Sequence, residues 1–162
     1  MSAYDVAAWS DFANTVAGGA AALAGLLFVG LSLNLSEVLQ YQGVPSRAAA
    51  TLGLTVAILL TAIFVATPGQ SRHALAIEMA VLGAATAAMV AEAMRRQRAS
   101  PHRGRVLTSM LMLLLPGLLL VVAAVSLSLQ RGGGLYWVTA AVTTGFVAAT
   151  ANAWVLVVEL KR

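Results

Sequence analysis

Two acids and one amide stand where polar groups are scarce in this chain. Glu78 and Glu92 are the only charged residues in the stretch 74–94, and Asn152 lies within 132–158, which carries no charge. A carboxyl group in such surroundings either handles protons or cations, or stays hydrogen-bonded and locks two helices together. From a helix that begins near Arg72, six residues at 1.5 Å each put Glu78 about 9 Å along the axis. A carboxylate inside hydrocarbon costs about 2.5–3.5 kcal/mol on insertion scales, so Glu78 needs a partner. No basic residue stands three or four positions away from it. The partner is therefore expected on another helix, with Arg131, Thr139, Ser126, Ser128 and Asn14 as candidates. Glue is the favoured reading and proton or cation handling the alternative.

Glu92 shares a helical face with Glu78, Leu82, Ala85 and Met89. Two acids at opposite ends of one face would mark a pathway. However, Arg95 and Arg96 follow Glu92 at i+3 and i+4, so an interfacial salt bridge is the expected outcome. Glu159, followed by Lys161 and Arg162, invites the same interpretation. Asn152 lies on a face with Gly145 and Ala149, and an intramembrane Asn usually hydrogen-bonds across helices. It is expected to be structural.

Other chemistry is excluded by what is missing. The chain has no cysteine and only His73 and His102, neither of them mid-span. Thiolate catalysis, iron–sulfur ligation, cysteine zinc sites and paired-histidine haem ligation have no ligands. No Ser/His/Asp set, paired aspartates or histidine-rich motif is present. No catalytic, cofactor-binding or metal-binding residue is expected. The run Gly-Gly-Ala-Ala-Ala-Leu-Ala-Gly, 18–25, has no lysine and no preceding strand, so it is not a phosphate loop.

The elements that hold these residues follow from hydropathy. Of 162 residues, 60% are apolar and 10% charged, where a soluble domain carries about 25% charged residues. Mean hydropathy is +0.86. Five spans are predicted, 13–36, 47–67, 72–94, 106–130 and 135–160. About 20 helical residues cross a hydrocarbon core of about 30 Å, so each is long enough. The expectation is an all-α integral membrane bundle forming one domain over 1–162. Gly43 and Pro45 should end the first helix, with Ser46 capping the second. Pro68-Gly69 should turn the chain, with Ser71 capping the third. Gly132-Gly133-Gly134 should link spans 4 and 5 tightly. Links this short force antiparallel hairpins. Pro116-Gly117 in span 4 frees the Met112 carbonyl and should kink that helix.

Basic residues set the expected orientation. Arg47, Arg95, Arg96, Arg98, Arg103, Arg105, Lys161 and Arg162 fall on one side, and only Arg72 and Arg131 on the other. The positive-inside rule then puts the N-terminus outside and the C-terminus in the cytoplasm. The formal charge of +4 reads as topology, and no nucleic-acid partner is expected. Trp9 and Trp137 fall at the outer boundary and Trp154 near the inner one. The cluster Arg95, Arg96, Arg98, Arg103 and Arg105 is the candidate contact for anionic lipid or an acidic partner.

Span 1 is rich in small residues, and Gly18, Ala22 and Gly25 fall on one stripe at helical spacing. In lipid, such a face lets backbones approach closely, whether inside the bundle or between molecules. The stretch 17–34, AGGAAALAGLLFVGLSLN, with Trp9 and Phe12 ahead of it, resembles the first helix of a family of small multi-pass proteins of actinobacteria. Some members are labelled modulators of a membrane AAA protease. The resemblance implies a bacterial plasma-membrane protein in an accessory role. Small-residue faces and little extramembrane chain suit a non-enzymatic accessory subunit or self-associating scaffold. Its partners would be lipids, other membrane proteins or further copies of itself. The alternative is a small homo-oligomeric ion channel or proton-coupled carrier using Glu78.

Overall fold

A computed structural model of the protein describes residues 2–40, 43–96 and 103–158. Among them every regular element is helical. Two 3-10 turns, Ser2–Tyr4 and Val6–Trp9, precede α1 (Ser10–Leu33), the short α2 (Leu35–Gln40), α3 (Val44–Ala66), α4 (Arg72–Arg96), α5 (Arg103–Leu129) and α6 (Tyr136–Val158). Five helices, all but α2, are long and apolar enough to cross a membrane.

Local chemistry sets the helix ends. The α1 helix stops at Asn34, whose side-chain amide donates to the Gly30 carbonyl at 2.7 Å. Gly43 adopts φ +86° and opens α3, with Pro45 in its first turn. Ser46 is not the N-cap that its position suggests: it already lies inside α3, and its hydroxyl donates to the Gly43 carbonyl at 2.9 Å. At the other end of α3, Thr67 turns extended ahead of Pro68, and Gly69 takes φ +69°. Ser71 does cap α4, its Oγ accepting from the Ala74 N–H at 3.1 Å. Gly132, Gly133 and Gly134 all have positive φ, at 82°, 110° and 53°. Three such residues in a row are accessible only to glycine, and they turn α5 back into α6.

The α3 helix is the centre of the bundle. It packs against α1, α4 and α6, while α5 packs against α4 and α6. In α3, 56% of the most apolar stretch is buried, against 17% in the first span. The first span is therefore a peripheral helix, packed mainly on α3, with Ala13, Val16 and Ala20 buried in the core and Leu27 buried further along.

Outward faces are apolar too. On α5 the exposed residues Leu111, Leu115, Leu118, Val122, Val125 and Leu129 recur at helical spacing, and α4 exposes Ile77 and Val81. A helix apolar on both faces belongs in hydrocarbon. Four hydroxyls inside the bundle are satisfied by the backbone, while Thr139 Oγ1 is buried without a hydrogen-bond partner among the described residues. Thr51, Thr55, Thr61 and Thr86 each donate to the carbonyl four residues back.

The closest helix crossing lies between α4 and α5. A Cβ on Gly83 would sit 2.7 Å from the Gly117 carbonyl oxygen and 3.1 Å from the Val121 nitrogen. The two backbones touch there because neither residue has a side chain. The α5 helix continues through Pro116. Pro116 lies on the α6 side, its Cβ 3.6 Å from where a Gly145 Cβ would be. The Pro116-Gly117 pair thus serves packing against two neighbours.

Candidate functional site

The polar centre of the bundle lies toward the end where α3 and α5 begin and α6 finishes. Arg47 projects from the first turn of α3. Its Nε donates to Asn152 Oδ1 on α6 at 2.6 Å, and its Nη2 donates to Ser109 Oγ on α5 at 3.0 Å. Asn152 Nδ2 donates to Thr51 Oγ1, and Thr51 Oγ1 donates in turn to the Arg47 carbonyl. The bonds form a closed ring from Arg47 through Asn152 and Thr51 back to Arg47. This ring also orients the Asn152 amide, because the reverse orientation would aim an NH2 group at guanidinium donors. Asn152 and Thr51 are 4% and 1% exposed, so the ring is shielded.

Three helices are joined by one side chain. The predicted face of Gly145, Ala149 and Asn152 is the face that α6 turns inward: Ala149 is fully buried, and a Cβ on Gly145 would meet Ile58 of α3. Counting Arg47 as a loop charge missed its role. A usable signal existed, since Arg47, Thr51 and Thr55 are spaced four apart and share one helical face.

Glu78 is not paired across the bundle. Its Oε2 accepts from Gln70 Nε2 at 2.6 Å, and Gln70 belongs to the turn between α3 and α4. None of the expected partners bonds Glu78 among the described residues, and Thr139 Oγ1 is buried without a partner of its own among them. Ser126 donates to the Arg131 carbonyl, Ser128 donates to the Ala124 carbonyl, and Asn14 is exposed. The turn doubles back over the first turns of α4, so a local amide reaches the carboxyl before any distant helix does.

Glu92 behaves as its spacing implies. Arg96 Nε lies 2.9 Å and Arg95 Nη1 3.9 Å from its carboxylate, with all three side chains half exposed or more. Exposed pairs of this kind contribute about 0–1 kcal/mol. Arg98 and Glu159 lie outside the described residues. Arg103 and Arg105 fall in the first turn of α5, with side chains likewise outside the description.

Gly18, Ala22 and Gly25 are exposed, and a Cβ at either glycine would meet nothing within 4 Å. Among the described residues, nothing packs over the open side of the two glycines. Gly19, one position on, faces Phe146 of α6 at 3.5 Å. The small-residue stripe is the outer face of α1.

The opposite end of the bundle, where α6 begins, holds a structure that periodicity does not announce. The N-terminal turns lie over the glycine link, with Leu135 N–H donating to the Ala3 carbonyl at 2.8 Å and Gly133 N–H donating to Tyr4 Oη at 3.1 Å. Gly134 N–H donates to Ser126 Oγ at 2.8 Å, and a Cβ on Gly134 would collide with Ala3 and Tyr4. Trp9 stacks edge-on against Phe12 and Tyr136, with centroids 5.6 and 5.1 Å apart. Trp137 donates its indole N–H to the Gly132 carbonyl at 2.6 Å. Trp9 and Trp137 thus meet at one end of the bundle, while Trp154 is exposed near the other. No family model, no curated protein and no solved structure matches the chain.

Proposed function

We propose that this protein is a non-enzymatic accessory subunit of a bacterial plasma membrane, working by helix contact with another membrane protein or with its own copies. The observation that carries the reading is the position of α1. It is the least buried of the five long helices, and its small residues Gly18, Ala22 and Gly25 face outward with open space around the glycines. In lipid, where apolar surface alone drives no association, close backbone approach over such residues is the main source of helix affinity. The resemblance of this helix to that of the actinobacterial family, some of whose members are labelled protease modulators, adds support for an accessory role.

The test separates the two faces of α1. Gly25→Leu adds bulk on the open face, whereas Leu27→Ala empties a buried position. Gly25→Leu is expected to leave the melting of the isolated chain unchanged and to cut recovery of its complex in mild detergent about tenfold, equal to 1.4 kcal/mol. Leu27→Ala is expected to lower the melting temperature instead. Full recovery of the complex with Gly25→Leu would exclude this face.

The orientation in this reading is N-terminus outside and C-terminus in the cytoplasm, on the basic asymmetry of eight residues against two. A thiol introduced as Ser2→Cys is expected to react with a membrane-impermeant maleimide on intact cells. Reaction only after lysis would reverse the topology.

A further inference from the structure

The outer end contains a cavity of about 490 Å³ between the N-terminal turns and the α3–α4 turn. Its polar wall carries Asp5, Ser10, Gln70 and Arg72, and its apolar wall carries Val6 and Val65. Two opposite charges line it, and neither forms an ion pair with a described residue.

Arg72 is held in place from outside the cavity. With its amide oxygen turned toward Arg72, Gln130 lies against the guanidinium, the oxygen 2.6–3.0 Å from its nitrogens. A guanidinium has five N–H donors, more than one amide oxygen can occupy, so donors remain for a ligand. Gln130 is also the one non-glycine among the described residues with positive φ, at 53°. Strain of that kind persists where surrounding contacts over-determine it, and here it brings the amide onto Arg72.

We propose that this cavity binds a zwitterion bearing a primary ammonium and a phosphate, supplied by the headgroup of a phosphatidylethanolamine lipid in the outer leaflet. The phosphate takes the free donors of Arg72, since guanidinium and phosphate form strong charge-assisted hydrogen bonds. The ammonium takes Asp5, which accepts only. Two further observations favour a lipid over a free solute. The cavity stands at the level of Trp9, Tyr136 and Trp137, aromatic side chains of the type that mark a headgroup region. Below it, Ile63 and Val56 are 46% and 40% exposed on α3, three and ten positions before Ala66 of the cavity wall, giving acyl chains an apolar path.

The test is lipid retention by the purified full chain, read by native mass spectrometry after exchange into vesicles containing equal phosphatidylethanolamine and phosphatidylglycerol. Phosphatidylethanolamine is expected to be retained about tenfold over phosphatidylglycerol, which has the phosphate but no ammonium. Asp5→Asn should abolish that preference, whereas Arg72→Gln should lower retention of both lipids about tenfold, with Arg72→Lys intermediate because it keeps the charge and loses the fork. Both side chains are exposed, so the melting temperature of each variant should match that of the parent protein. Equal retention of the two lipids by the parent protein, an undiminished preference in Asp5→Asn, or undiminished retention of both lipids in Arg72→Gln would overturn the site. Soluble phosphoethanolamine binding as tightly as the lipid would overturn the assignment to the bilayer.

Discussion

Gly83→Ala is expected to destabilise this protein by about 1–3 kcal/mol, although it adds a single methyl group in the middle of an apolar helix. The new carbon would lie 2.7 Å from the Gly117 carbonyl oxygen and 3.1 Å from the Val121 nitrogen. Both are backbone atoms of α5, so relief requires the two helices to separate. Separation would weaken the rest of the α4–α5 contact, where Thr86 packs within 3.3 Å of a Gly117 Cβ position. Contact over small residues is the main attraction available between helices in lipid, so distance is costly there. Gly53→Ala makes a useful comparison, because its new carbon would meet only the flexible end of Met89. Unfolding of both variants in a detergent titration should show a large loss for Gly83→Ala and a smaller one for Gly53→Ala. Wild-type stability in Gly83→Ala would mean that α4 and α5 do not cross at this point.

The second large effect is expected at the hydrogen-bonded ring of Arg47, Asn152 and Thr51. Arg47→Met removes the donors to Asn152 and Ser109, and Asn152→Leu removes the acceptor for Arg47 Nε and the donor to Thr51. Each single variant should lose about 1.5–3 kcal/mol, the range for hydrogen bonds to charged groups. The double variant should lose less than the sum, with a coupling energy of about 1–2 kcal/mol, at the upper end for interhelical bonds in membranes. Additivity within about 0.5 kcal/mol would show that the two side chains do not act together.

Several features were legible from residue order because their causes are local. Ser71 lies three residues before the amide that it caps, and Glu92 lies three and four residues before its arginines. The triple glycine dictates a backbone that only glycine adopts. The five long apolar helices follow from hydropathy and length. Glu78 was misread for a related reason. Its partner, Gln70, is only eight residues away, but it reaches back from a turn, where helical spacing rules do not apply.

Composition and order alone determined that this chain is an all-helical bundle of five apolar helices joined in hairpins. They did not determine which side of each helix faces its neighbours. In water that choice is written as a polar face and an apolar face, but in hydrocarbon both faces are apolar and the pattern is silent. Gly18 and Gly83 are both glycines in apolar helices, yet one faces outward and the other sits at the tightest crossing. Only the tertiary structure separated them. It also brought Arg47 to Asn152 across 105 positions, and Tyr4 to Gly133 across 129. Those pairings depend on how the helices seat against one another, which follows from the shapes of packed side chains rather than from any local spacing.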